Sequence, residues 1–522
     1  MTKKIIAFAL AIVSMLTFAS CAAIEVRDTS ISVSASDAQE VSVYNANSLK
    51  TDISAGVYIK DGFLCGLSPD MTKSEILSHI KNTSGVSADG VGTGSTVSLT
   101  VNGTVSDSAV IAIAGDVDGD GSVNTTDYLA LSHSISAAKA ASGASAVASD
   151  VDCDDLVTSA DLLTLGLYIK NEVDSIGLRS EEEIYLYGAD YNDFELTGDD
   201  EPFFIGRWFD KDINGVPHKI SLNDGAAVYL MTKGATELYV NFTQITAADT
   251  VPFYAYSIDG ADPVRSRISA GTVELPDDGP HIVRIIVDGM PSSVGKWDNE
   301  IGYALKSITL NAGEIVGIRP TNKVIFYYGD SITQGVSSLK SGGTSSCNSH
   351  VNAYPWHTSK ALGAVSYVCG FGGSGVVRPG SFAPFHQAIM HLSSTRMHTD
   401  TTMPDLIVIN HGFNDGSSYS AEDFDANLRT AFSYLQSRYP DVPIVYMLPL
   451  NQKRVDAITS IVTELNPGNY YILPTEGWGI PTTDGSHPTA EGARTVAANL
   501  SAFIIECFGE DFFDGKSVNF AK

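Results

Sequence analysis

Val324-Ile325-Phe326-Tyr327-Tyr328-Gly329-Asp330-Ser331-Ile332-Thr333 is the stretch from which the rest of the chain is read. Its unbroken apolar and aromatic run suits a strand covered on both faces, as in a parallel sheet. The run breaks at Gly329, and Ser331 follows where a strand turns sharply into a helix. A serine there most often caps the helix; with a base in reach, its hydroxyl is a nucleophile. Two more runs of the same kind follow, Leu406-Ile407-Val408-Ile409-Asn410 and Ile444-Val445-Tyr446-Met447-Leu448, with a helical pattern from Ala426 to Leu435 between them. Strand and helix in turn predict an α/β domain over residues 321–511, a parallel sheet between two helical layers, with ligands bound at the carboxyl ends of the strands.

Those ends hold polar exceptions. Gly370-Phe371-Gly372-Gly373-Ser374-Gly375 follows the strand-like Val365-Ser366-Tyr367-Val368 and lets backbone amides approach a ligand without Cβ obstruction. Gly373 is the first choice for an oxyanion donor, with Gly372 and Gly375 as alternatives. In His411-Gly412-Phe413-Asn414-Asp415 the Asn414 amide is a second candidate donor. Asp484-Gly485-Ser486-His487-Pro488 precedes a long C-terminal helix starting near Ala493 and supplies a base, His487, with an acid three residues upstream to fix its tautomer. Asp330 reads as a turn acid. His350, His357, His386, His391 and His411 show no metal-ligand spacing, and of these His411 is the candidate for the cleft.

These four blocks, in this order, resemble the Ser-Gly-Asn-His (SGNH, or GDSL-type) hydrolases. The resemblance implies a serine esterase with Ser331 as nucleophile, His487 as acid and base, and Asp484 behind it. It also implies an oxyanion hole made by the N–H groups of Ser331 and Gly373 and the side chain of Asn414. The second block departs from the family in lacking the Asn often found just before the glycine.

Residues 183–320 carry many short β-runs separated by Gly, Asp and Pro, among them Ala227-Val228-Tyr229-Leu230 and His281-Ile282-Val283-Arg284-Ile285-Ile286-Val287. They predict an all-β jelly-roll or sandwich, with Trp208 and Trp297 as packing residues. A sandwich directly before an SGNH hydrolase resembles the family 2 carbohydrate esterases. That resemblance implies removal of O-acetyl groups from plant cell-wall polysaccharide of xylan or mannan type, with no catalytic metal or organic cofactor and with Trp478 as a sugar contact. Within the same fold the alternatives are a lipase-like acylesterase or a peptidoglycan O-acetylesterase. The alternative of another class is a non-catalytic polysaccharide-binding protein.

A repeat occupies residues 111–177. Asp116, Asp118, Asp120, Ser122, Asn124 and Asp127 stand at positions 1, 3, 5, 7, 9 and 12 of a loop with Gly121 at its sharp turn. Asp150, Asp152, Asp154, Leu156, Thr158 and Asp161 repeat the pattern. Oxygen donors at this spacing suit Ca²⁺. Asp155 replaces the glycine in the second copy, which predicts a strained turn, a repelling charge and weaker binding. Each loop runs into an apolar helix, and the pair resembles a dockerin, an all-α domain. The resemblance implies structural Ca²⁺ and docking onto a cohesin of a scaffoldin through Thr125, Thr126, Ser159 and Ala160.

Residues 1–23 read as a signal peptide: Lys3 and Lys4, an apolar run to Phe18, then Ala19-Ser20-Cys21-Ala22-Ala23. They predict a secreted, scaffold- or surface-associated protein with no transmembrane span after cleavage, and Cys21 leaves a lipoprotein open. Residues 24–110 read as a linker and a small α+β module with a helix over 73–81, and 512–522 as a tail. With 32 basic against 61 acidic residues the net charge is -29, which excludes nucleic acid as a natural partner. Six scattered cysteines argue against a zinc site, leaving Cys347 with Cys369 as the candidate bridge.

Overall fold

The computed structural model describes residues 48–136, 141–188, 194–247 and 250–513. The expected signal peptide with Cys21, and all but two residues of the expected tail, lie outside them. No helix of the described residues is long and apolar enough to cross a membrane.

The C-terminal domain is built on five parallel strands: β1 (Val324–Gly329), β2 (Val365–Gly370), β3 (Leu406–Asn410), β4 (Ile444–Met447) and β5 (Tyr470–Leu473), ordered β2-β1-β3-β4-β5. Gly329 pairs in register with Gly370 on one side and Asn410 on the other, so three of the four polar blocks leave the sheet at one level. Among the helices beside it are α1 (Ser331–Gln334), α2 (Tyr354–Ala361), α3 (Ala421–Arg438), α4 (Val455–Leu465) and α5 (Ala490–Phe508), with a single turn at Phe385–Ala388 packed on α3. Alternation along β1 sorts its side chains. Ile325 and Tyr327 meet Val496, Leu500 and Ile504 of α5, while Phe326 and Tyr328 join the cluster holding Phe424, Leu428 and Leu435 of α3. Helix α3 begins earlier than its apolar pattern because the Ser420 hydroxyl accepts the Asp423 N–H; likewise the Thr489 hydroxyl accepts the Gly492 N–H and starts α5 at Ala490.

Two antiparallel sheets precede this domain. One runs Val264–Arg267, Phe253–Ile258, His281–Gly289, Ala227–Lys233, Glu314–Val316. The other runs Thr272–Glu274, Glu237–Thr243, Tyr303–Leu310, Val216–Ser221, Trp208–Ile213. Ala227–Lys233 and His281–Gly289 are buried almost throughout, unusual for antiparallel strands, which commonly keep one wet face. Val228, Leu230, Val283 and Ile285 point into the sandwich core. Tyr229, Met231, Ile282 and Ile286 point the other way, into one cluster with Phe326, Tyr328 and Tyr367 of the α/β domain. Both tryptophans pack as expected: Trp208 lies edge-on to Phe204 at 5.5 Å, and Trp297 edge-on to Phe382 of the α/β domain at 4.6 Å.

The repeat folds as helices Thr125–Ser136, Ala144–Ser149 and Ser159–Ile169 around Val117, Leu131, Val151 and Leu165. Before it, a five-stranded sheet with one helix forms its own core around Leu64, Ile76, Val97 and Ile111. A capping box between Thr72 and Glu75 starts that helix, which ends at Ser78, short of the expected 81, because Ile80 bridges Thr51. The module grips the first loop of the repeat: the Thr93 N–H donates to Asp116 Oδ2 at 2.7 Å, and the Asp70 N–H to the Gly121 carbonyl at 2.8 Å. Cys347 and Cys369 are not bridged. The Cys369 thiol, at the end of β2, turns to the Ala388 carbonyl, whereas that of Cys347 bonds within its own loop to Thr344 and Ser341.

Candidate active site

Ser331 is the first residue of α1, and the Asp330 carboxylate caps that helix by accepting the Ile332 N–H at 2.9 Å. The hydroxyl faces His487, whose Nε2 lies 2.9 Å from Ser331 Oγ, while Nδ1 lies 2.8 Å from Asp484 Oδ2. Asp484 also accepts the backbone N–H groups of His487 (2.9 Å) and Ser486 (3.1 Å), so the short loop winds round its own carboxylate. Partial burial resists ionisation of Asp484, but these hydrogen bonds and the nearby imidazole outweigh it and hold the carboxyl below its ordinary value. Residues 156 positions apart in sequence thus form a continuous serine–histidine–aspartate chain.

The glycine loop is held by bonds the sequence did not announce. Gly372 N–H donates to Gln334 Oε1 at 2.8 Å, and Gly375 N–H to the Arg378 carbonyl at 2.9 Å. Among the described residues no acceptor takes the N–H of Gly373 or of Ser331. Gly373 adopts φ 75°, which favours glycine. The far side of the loop closes over Asp415, whose carboxylate accepts the N–H groups of Val376 and Val377 at 2.8 Å and of Arg378 at 3.1 Å. Asp415, Gln334 and Asp224 escaped the sequence reading. A strand-end Asn-Asp pair was the only trace of the first, and the other two left none.

Asn414 sits beside the pair, yet both hydrogens of its amide are engaged, one with Asp330 Oδ2 at 3.0 Å and one with the Ser374 carbonyl at 2.9 Å. Asp330 is fully buried; burial, joined by the charge of Asp415, pushes its carboxyl up to about 7 against the Ile332 N–H. His411 does not line the cleft: it is buried with its ring against Phe385, and burial pushes it down to about 3. Trp478 is half-buried against the α5 side of the domain, on the loop that leads to His487.

In the repeat, carboxylate oxygens of Asp116, Asp118 and Asp120 lie within 4.8 Å of one another, as do those of Asp150, Asp152 and Asp154. Asp150 Oδ1 is buried without a hydrogen-bond partner, and what burial Asp152 has, with the charges of Asp161 and Asp154, raises its carboxyl. Such oxygen clusters fit Ca²⁺. Asp127 and Asp161 instead accept backbone N–H groups of their own loops, from Val117, Asp118 and Asn124, and from Val151, Asp152 and Thr158. Asn124 and Thr158 accept the N–H groups of Thr126 and Ala160, and Leu156 and Ser122 present only their backbone to Asp154 and Asp120. Thr125, Thr126, Ser159 and Ala160 are all exposed.

The fold is that of an α/β hydrolase domain of GDSL type, in a chain that also carries a dockerin-type repeat. The GDSL-like lipase/acylhydrolase family model matches residues 327–475 and the dockerin type I domain model residues 114–170, and the chain carries a domain of each. No curated protein matches the sequence. Among solved structures, a family 2 carbohydrate esterase from Cellvibrio japonicus is 20% identical, with a TM-score of 0.49 over 62% of this chain and 98% of that one. One from Clostridium thermocellum in complex with cellohexaose is 20% identical, with a TM-score of 0.47 over 59% and 100%. An acetyl xylan esterase from the rumen bacterium Butyrivibrio proteoclasticus is 16% identical, with a TM-score of 0.48 over 61% and 98%.

Proposed function

We propose that this protein is a secreted carbohydrate esterase that removes O-acetyl groups from a plant cell-wall polysaccharide, of xylan or mannan type, while docked through its dockerin domain on a cohesin of a scaffoldin. The observation that carries the esterase reading is the unbroken hydrogen-bond chain from Ser331 through His487 to Asp484. His487 Nε2 takes the hydroxyl proton as Ser331 Oγ attacks the acetyl carbonyl carbon. The tetrahedral oxyanion then collapses, the sugar oxygen leaves with the proton from His487, and the acetyl group stays on Ser331. Water enters, His487 removes its proton, and a second collapse frees acetate and returns the proton to Ser331. The N–H groups of Ser331 and Gly373 hold the oxyanion, each such donor being worth roughly 3–4 kcal/mol of transition-state stabilisation. Asn414 joins them by releasing the Ser374 carbonyl when substrate enters, since catalytic hydrogen bonds often tighten only in the complex.

A polysaccharide substrate is favoured by the surroundings of the glycine loop. A groove of about 390 Å³ lies between residues 293–299 of the sandwich and 379–387 of the hydrolase domain. Asp298, Asn299, Ser381 and Gln387 line it together with Val294, Trp297 and Phe382, a mixture of hydrogen-bonding groups and apolar faces of the kind that takes a sugar ring. Gly380, on its rim, packs directly against Gly372 and Gly373. Asp116, Asp118, Asp120, Asp150, Asp152 and Asp154 would hold Ca²⁺, which stabilises the loops that present the docking residues.

Acetate release from acetylated xylan, compared with hydrolysis of 4-nitrophenyl acetate and of long-chain esters, tests the reading. Wild type is expected to prefer acetyl esters, and Ser331→Ala to lose activity by at least about three orders of magnitude. Undiminished activity in the variant removes the mechanism. A preference for long-chain esters makes the protein a lipase-like acylesterase, and polysaccharide binding without any turnover makes it a binding protein.

A further inference from the structure

We infer that the sandwich sets the oxyanion loop through a side-chain relay from Asp224 to Gln334 to Gly372, so that Asp224 and Gln334 are positioning residues for hydrolysis. The inference rests on the proposed reading of Ser331 and Gly373. Asp224 lies in the sandwich, on the turn before strand Ala227–Lys233, and is 1% exposed. Its Oδ1 accepts the Met290 N–H at 3.0 Å and the Tyr303 hydroxyl at 2.5 Å, both from the sandwich. Its Oδ2 accepts Gln334 Nε2 at 2.6 Å, across the domain boundary. Gln334 closes the single-turn helix that Ser331 opens, and it is as buried as Asp224.

The direction of the relay follows from donor and acceptor chemistry. An ionised carboxylate only accepts, so it compels the Gln334 amide to turn its NH₂ toward Asp224 and its carbonyl toward the Gly372 N–H. Burial pushes Asp224 up to about 6, opposed by the Lys296 ammonium and by the bonds from Tyr303 and Gln334, so the acceptor form prevails at neutral pH. Gly372 is then held on both sides: its N–H by Gln334, and its carbonyl by the Ser381 N–H at 2.8 Å. That carbonyl belongs to the same rigid peptide plane as the Gly373 N–H, so fixing one aims the other. A second tie runs beside the relay. Asp288 of the sandwich accepts the Ser349 hydroxyl and the Val351 N–H, each at 2.9 Å, on the segment that leads into α2.

Asp224→Asn, Gln334→Leu and the double variant, assayed for kcat and KM on 4-nitrophenyl acetate, test the relay. Asparagine offers one acceptor atom where three donors converge, so Gln334 must rotate and meet the Gly372 N–H donor to donor. Each single variant is expected to lower kcat about tenfold with KM within about twofold, because oxyanion donors act in the transition state. The double variant is expected to be no slower than Gln334→Leu, because the relay is already cut. Wild-type kcat in a folded single variant, or losses that multiply in the double, overturns the relay. Should Gln334→Leu be insoluble, the isosteric Asp224→Asn decides alone. Insolubility of both assigns Asp224 to holding the domains together and overturns a positioning role. Activity surviving in Ser331→Ala overturns the site reading itself, whereas an inactive Ser331→Ala beside a fully active Asp224→Asn overturns only the relay.

Discussion

Asp484 spends its carboxylate on three hydrogen bonds to a single tight turn, and its side chain stays 27% exposed. Water can therefore replace part of what it does for the imidazole. Asp484→Ala is expected to lower kcat on 4-nitrophenyl acetate roughly a hundredfold, less than the ~10⁴-fold found for the buried acid of a serine protease. Asp330 behaves in the opposite sense. With its carboxyl raised to about 7, the native state keeps a proton that the unfolded chain has released above about pH 4. Stability therefore falls as pH rises from there to about 7 and levels off beyond. Denaturant unfolding of wild type and Asp330→Asn at a series of pH values should show the wild type losing a few kcal/mol relative to the variant across that window. A constant difference would mean that Asp330 stays ionised throughout. Ser331, His487 and Asp484 were legible because strand ends and turn residues mark them locally. Gln334 and Asp224 were not, since a glutamine after a helical turn and an aspartate in a β-turn are ordinary until 110 residues of chain bring them to 2.6 Å.

The two loops of the repeat show how one element can keep its geometry while its electrostatics change. Gly121 at φ 89° and Asp155 at φ 64° share the left-handed conformation, and each donates its N–H to the loop's first aspartate at 3.2 Å. The strain expected of Asp155 is thus present, costing about 1 kcal/mol. Its charge, however, is turned outward onto Lys60 at 2.7 Å and Arg179 at 2.6 Å. Arg179 also approaches Asp150 Oδ2 at 3.5 Å, which sets a fixed positive charge beside the second carboxylate cluster. Calorimetric titration with Ca²⁺ should show the first loop filling at lower concentration than the second, and Arg179→Gln should tighten the second severalfold. Equal affinities unaffected by the substitution would remove this account. The loops and helices were legible because each is written within a dozen residues and then written again. The grip of Thr93 and Asp70 on the first loop was not, because those bonds use backbone N–H groups that any residue carries.

Across the whole molecule, the sandwich and the hydrolase domain share one apolar cluster, in which Tyr229, Met231 and Ile286 of the former meet Phe326, Tyr328 and Tyr367 of the latter. Each buried side chain of this size contributes roughly 1.5–3 kcal/mol, and an exposed patch of them invites aggregation. Scanning calorimetry should therefore show the two domains unfolding in one transition, with the repeat melting separately and at lower temperature in a chelator. A fragment restricted to residues 321–522 should be insoluble or inactive; a soluble fragment with full activity on 4-nitrophenyl acetate would show that the shared core is dispensable.

The sequence by itself determined the alternation of strand and helix, the sandwich before it, the repeated acidic loops, and the short motifs around Ser331, Asn414 and His487. These are local patterns of periodicity and turn chemistry, read within a few residues. Only the tertiary structure decided that Gly373 is the glycine left with an unengaged N–H, that Asn414 holds the Ser374 carbonyl, and that the sandwich reaches Gly372 through Gln334. Each of those depends on which donor meets which acceptor once distant segments are packed, and pairing of that kind leaves no period or composition along the chain.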